Sequence, residues 1–114
     1  MIFSKKIGKI KTIQLKNFDS TPLSEDDFSF LLSCVKQEHS DGVYTAALIA
    51  LVESDNTSLD VLIDQFESMM GQAQMLAIPM LACTDYVMCY SFLLKRLKKT
   101  DSLDEVAMIS LALT

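Results

Sequence analysis

The chain has 114 residues, half of them hydrophobic and 22% charged, with fifteen acidic against ten basic side chains, three Cys and a formal net charge of −5. That length sets one domain as the prior, and the apolar content can build a real core, which excludes a mainly disordered chain. Three Gly and two Pro exclude collagen-like and linker classes and leave too few turn residues for an all-β sandwich.

Residues 1–16 carry Lys5, Lys6, Lys9, Lys11 and Lys16 and no acid. Ile7, Ile10, Thr12 and Ile13 favour an extended strand, and residues 1–18 read as a short strand, a hairpin arm or a mobile basic tail. No continuous apolar stretch or small-residue cleavage site marks a secretory signal here.

Signals for helix sharpen at Ser24, an N-cap with Asp27 three residues on and Leu23 placed to staple against Phe28. Phe28, Leu31, Leu32, Val35 and His39 recur at spacings of three and four, predicting a helix over 25–39. Asp41 and Gly42 break it, and the run from Val43 to Val52, apolar except for Thr45, predicts a central helix. Thr57 with Asp60 gives the next cap. Leu59, Leu62, Ile63, Phe66, Met70, Ala73 and Ala77 then form one stripe of an amphipathic helix, weakened at Gly71. Pro79 predicts a kink or the start of a helix over 80–99, and Ser102 with Glu105 opens a last helix through Leu113. The fold class is therefore all-α: about five helices in an antiparallel bundle or orthogonal array over residues 19–114, preceded by a basic arm over 1–18.

Residues 75–94 are long and apolar enough to require a membrane test, with Asp85 their sole charge and Lys95, Arg96, Lys98 and Lys99 close behind. A mid-span Asp costs ~2.5–3.5 kcal/mol on insertion, so the segment reads first as a buried helix. Cys34, Cys83 and Cys89 are odd in number and form no C-x-x-C pair, pointing to a reducing, cytoplasmic setting.

No catalytic, nucleotide, calcium or zinc pattern is present in the sequence, and the expectation is a protein with no enzyme activity, metal or cofactor. His39 projects onto an apolar stripe, where a lone imidazole is usually structural. Asp60 and Asp64 stand one turn apart on a polar face, as solvated acids do.

Misplaced apolar residues carry the functional expectation. Phe30 falls opposite the core face of its helix, so either the N-terminal segment folds over it or it meets a partner. Met75 interrupts one polar face, and Met88 interrupts another with Leu81 and Phe92 at its margin. Methionine repacks around varied apolar ligands, so Phe30, Met75, Leu81, Met88 and Phe92 are candidate partner contacts. In the last helix Val106, Met108, Ile109, Leu111 and Leu113 point in several directions, which marks them as candidates for self-association as a homodimer.

These features predict a non-catalytic adaptor, inhibitor or dedicated chaperone that captures an apolar or amphipathic helix. Residues 17–94 hold Lys36 alone against twelve acids, which favours a basic partner. The alternative is a membrane-associated protein using residues 75–94 or the basic arm. Weaker readings are a nucleic-acid accessory protein, disfavoured by the acidic body, and a tetratricopeptide-type repeat chaperone, suggested by the spacing of Ser24 and Thr57.

Overall fold

The computed structural model describes residues 7–13 and 23–113. Among them the chain forms seven α-helical segments and no strand: α1 (7–13), α2 (Glu25–Lys36), α3 (Asp41–Val52), α4 (Asn56–Asp64), α5 (Gly71–Ala82), α6 (Val87–Lys99) and α7 (Leu103–Ala112), with a 3-10 turn at Phe66–Ser68. The fold is thus all-helical, with more and shorter helices than the five expected. The remainder of the basic arm lies outside the described residues.

Residues 7–13 correct the expected strand or mobile tail. Ile10 and Ile13 are 0% and 2% exposed, and the Cδ1 of Ile7 lies 3.8 Å from where a Cβ on Gly42 would stand, so α1 is built into the core beside the start of α3. Ile7, Ile10 and Ile13 recur every three residues, and on a helix they share one face. Burial of that face overrides the β-propensity of the branched side chains.

Side-chain caps set several helix starts. The Ser24 hydroxyl accepts from the Asp27 N–H at 3.1 Å, Ser40 from Val43 at 3.4 Å, and Ser102 from Glu105 at 3.3 Å. For α4 the cap is Asp55, whose Oδ1 accepts from the Ser58 N–H at 2.8 Å, rather than Thr57. Asp is the stronger N-cap of the two, and it moves the start upstream. Helix α2 ends at Lys36, three residues before the boundary expected. His39 lies in the connection that follows, where its N–H donates to the Tyr44 hydroxyl at 2.9 Å while that hydroxyl donates to the Gln37 carbonyl at 3.1 Å. The buried Tyr44 ring thus ties down the turn between α2 and α3.

The expected helix from Thr57 to Pro79 is divided. Gln65 leaves helical geometry, Phe66–Ser68 forms the 3-10 turn, and Met69 and Met70 are extended before Gly71 opens α5. A continuous helix from 56 to 82 would be ~40 Å long at 1.5 Å per residue, whereas the longest dimension of the fold is 37 Å. Breaking it buries Phe66 and Met69 together and lets the Met70 N–H donate to the Val35 carbonyl at 2.8 Å. Pro79 sits inside α5, neither ending it nor starting the next helix. Its neighbours Ile78 and Leu81 are fully buried, which offsets the backbone bond that proline removes.

Helices α3 and α5 are apolar around most of their circumference and pack against each other, as a central pair should. Helix α2 covers α3, α4 lies against α3 and α6, and α5 also carries α6 and α7. Residues 83–86 interrupt the apolar segment 75–94, and among the described residues no helix is long and apolar enough to cross a membrane.

Candidate docking surface

Helix α6 begins at Val87, seven residues later than expected, and this resets which residues share a face. Cys89 and Leu93 are fully buried against the core. One outward flank carries Val87, Tyr90 and Leu94 at spacings of three and four, within about 60° of one another around the helix, whereas Met88 points to the other flank. Val87 is 67% exposed, Tyr90 53% and Met88 49%, while Leu94 is half-buried. Two large exposed side chains, Val87 and Tyr90, thus share one outward turn with the half-buried Leu94.

The five residues singled out from sequence do not form a common patch. Met88 is exposed as expected. Leu81 is fully buried in α5 and belongs to the core, on a different helix from Met88. Met75 is half-buried and packs on the core from α5. Phe92 is half-buried with its ring edge-on to Phe66 at 5.1 Å. Phe30 is covered in part by α1, the Lys9 ammonium lying 4.1 Å from its ring centroid. The N-terminal segment therefore does fold over it. On α7, Ile109 is fully buried, and Met108 and Leu113 are partly buried and pack on the core. Val106 is half-buried, whereas Leu111 is 74% exposed.

Sequence reasoning missed Val87, Tyr90 and Leu103, the last 84% exposed. The signal for the first two was Thr84 and Asp85, polar turn-forming residues within an otherwise apolar run. Starting the helix after them brings Val87 and Tyr90 outward.

Charge is separated along α6. Exposed Asp85 precedes it, and the Tyr86 hydroxyl donates to Asp60 Oδ1 at 2.7 Å, bringing a second carboxylate to this end. That hydrogen bond pushes the Tyr86 phenol above its ordinary pKa, with desolvation and the negative charge of Asp60 acting in the same direction. Lys95, Lys98 and Lys99 are exposed along the helix and at its other end. Thirteen residues span ~20 Å, about two Debye lengths at physiological salt, so the two ends act as distinct fields.

Arg96 fixes this helix to α7. Its Nε donates to Glu105 Oε1 at 2.8 Å and its Nη2 to Oε2 at 3.0 Å, while Nη1 reaches Glu67 at 3.4 Å. The guanidinium also lies 4.8 Å from the Phe66 ring centroid. The Glu105 hydrogen bonds raise the Arg96 pKa above its ordinary value against an opposing desolvation effect, so the guanidinium stays charged. Phe92, Lys95, Arg96, Lys99, Thr100 and Glu67 line a shallow cleft of about 330 Å³ beside this pair.

Cys89, buried under α6, has its thiol pushed upward by desolvation, with a hydrogen bond to Thr84 opposing. A high thiol pKa suits a packing residue better than a nucleophile. Among the described residues no group of three or more His, Cys, Asp or Glu side chains converges as a metal site would require. No family model, curated protein or solved structure matches the chain. The class defined by the fold is a small all-helical protein, with exposed large apolar side chains on α6 and α7.

Proposed function

We propose that the protein is a non-catalytic binding module that captures an amphipathic helix of a partner protein on the outer face of α6. The observation that carries this reading is the outward row of Val87, Tyr90 and Leu94, the first two more than half exposed. Single exposed apolar residues are ordinary on protein surfaces, but neighbouring ones on one helix face are what interaction sites use. Tyr also suits such a row, as a rigid anchor.

Charge orients the occupant. A partner helix with acids in its first turn and bases in its last, the distribution the helix dipole favours, is complementary when antiparallel to α6. Its basic end then meets Asp85 and Asp60, and its acidic end meets Lys95, Lys98 and Lys99. This refines the expectation of a generally basic partner.

The test uses two fluorescent helical peptides with the same leucine face, one with Glu at the start and Lys at the end, the other with the charges exchanged. Anisotropy should show the first binding at least tenfold more tightly at low salt, with Val87→Glu and Tyr90→Ala each weakening it while the circular dichroism spectrum is preserved. Equal binding of the two peptides, or binding untouched by both substitutions, overturns the reading.

A further inference from the structure

The two central helices end at a cleft separate from the α6 face. Helices α3 and α5 run parallel. At their starts Gln72 donates to Asp41 at 3.4 Å, and at their ends they line one groove, Ile49, Val52 and Glu53 on one side and Pro79, Met80 and Cys83 on the other. This groove has a volume of about 330 Å³, and Glu53 is its only charged side chain. Val52, Glu53 and Cys83 also line a second cavity, of about 510 Å³, so the two meet along these residues. Asp55 and Asp85 join Glu53 there, all three exposed, and Tyr86 forms part of the wall. Among the described residues no Lys, Arg or His lines either cavity.

We propose that this cleft binds a small organic cation, an ammonium or guanidinium group on a compact apolar body. The body lies in the groove between α3 and α5, and the charged head lies among Glu53, Asp55 and Asp85. Charge complementarity selects this occupant. Helices α3 and α5 end here while α4 and α6 begin here, so their dipoles largely offset one another and the carboxylates set the sign of the field. An anion is repelled by all three acids, and a neutral apolar molecule gains nothing from them. The Tyr86 ring adds a surface that attracts cations.

Size excludes a longer occupant. Residues 49–53 rise only ~6 Å, about one helical turn. That is room for a single ring or branched alkyl group, whereas a docked helix needs anchors spread over several turns. The groove walls are helical, with their backbone groups engaged within the helices, so they offer no edge to an extended peptide. Both volumes fall in the lower part of the ~300–1,000 Å³ range of small-molecule sites, where apolar walls are joined by a few polar groups. Each exposed carboxylate strengthens binding by up to ~fivefold, and the field weakens with salt. A dissociation constant on the order of 1 mM follows for a ligand this small.

The experiment uses three probes with one phenyl body: 2-phenylethylammonium, 2-phenylethanol and 3-phenylpropanoate. Each is titrated into the full chain at low salt by nuclear magnetic resonance, and each is tried as a protectant of Cys83, the exposed thiol, against N-ethylmaleimide. The ammonium should bind at least tenfold more tightly than the alcohol, shift residues 49–55 and 79–86, and slow alkylation at least threefold at saturation. The carboxylate should not bind. Glu53→Gln combined with Asp55→Asn, which keeps a good helix cap, should reduce the ammonium to the affinity of the alcohol. Equal affinity of ammonium and alcohol overturns the proposal, as does undiminished binding to the double variant. Tighter binding of a dipeptide amide containing Lys and Phe also overturns it, because the occupant would then be a segment of a protein. Tyr90→Ala should leave ammonium binding unchanged, so failure here is distinguishable from failure of the α6 reading.

Discussion

Removing the Glu105 side chain tests whether one ion pair sets the relation between α6 and α7. The Glu105 carboxylate is 7% exposed and the Arg96 side chain 20%, and two hydrogen bonds of 2.8 and 3.0 Å join them. Losing one partner of a fully buried pair costs ~3–5 kcal/mol, whereas an exposed pair contributes ~0–1 kcal/mol. Arg96 keeps Glu67 at 3.4 Å and some access to water, so Glu105→Ala leaves its charge partly compensated. The expected loss is ~2–3 kcal/mol, between those limits. Arg96→Met strands the more deeply buried Glu105 and also removes the contact with the Phe66 ring, worth ~0.5–1 kcal/mol, so its loss should be the larger. Replacing both, as Arg96→Met with Glu105→Leu, should recover much of the stability, because two apolar side chains carry no desolvation cost. Urea unfolding at neutral pH, followed by far-ultraviolet circular dichroism and compared at constant m-value, measures all three. The same loss should lower Tm by ~10–20 °C in a chain of this size. A loss below ~1 kcal/mol for Glu105→Ala, or coupling below ~0.5 kcal/mol in the cycle built from Arg96→Met and Glu105→Ala, would refute the reasoning.

Ile10→Ala removes a fully buried side chain from α1 and should cost ~2–4 kcal/mol in urea unfolding; a change no larger than that of an exposed substitution would mean the N-terminal helix adds nothing to the core. The Tyr86–Asp60 hydrogen bond makes the fold sensitive to alkali. Because the folded phenol pKa is raised, the stabilisation is complete below the unfolded tyrosine value of ~10 and is lost as pH rises through the higher folded value. Ultraviolet titration should show the Tyr86 phenol ionising late, and Asp60→Asn should move it to lower pH. An unchanged curve would show that Asp60 does not hold the proton there.

How much of this was legible depended on whether local chemistry or long-range packing sets each feature. The starts of α2 and α7 are written in Ser24 and Ser102, whose hydroxyls need only residues three further on. The apolar run in α3 likewise announces a central helix. The break after Asp64 is different, because no proline or glycine stands at Gln65; it comes from the limited span of the core and from burying Phe66 and Met69. Once that break and the one at residues 83–86 are missed, residues of α5 and α6 are assigned to the wrong helix. Leu81 consequently looked outward beside Met88, although it belongs to another helix. Phe30 and α1 belong together: that the N-terminal segment folds over Phe30 is one of the two sequence expectations and holds, but the covering segment is a helix rather than a strand or tail.

The two outward apolar faces have a common origin. Helices α3 and α5 are apolar on most sides, and Val43, Ala47, Leu48, Leu51, Ala73, Ala77, Ile78 and Leu81 are buried in the core. Helices α6 and α7 each bury one face, yet carry large apolar residues on the other as well. Folding the monomer gains little from Val87 and Tyr90, or from Leu103 and Leu111, since more than half of each stays accessible. Fully burying such a side chain is worth ~1.5–3 kcal/mol, so that free energy is largely available to association rather than to folding. Both helices are joined by the Arg96–Glu105 pair. A substitution at that pair should act through stability and helix placement, whereas one at Val87 or Tyr90 should leave stability nearly unchanged and weaken only the binding proposed for α6, and this difference separates the scaffold from the surface it presents.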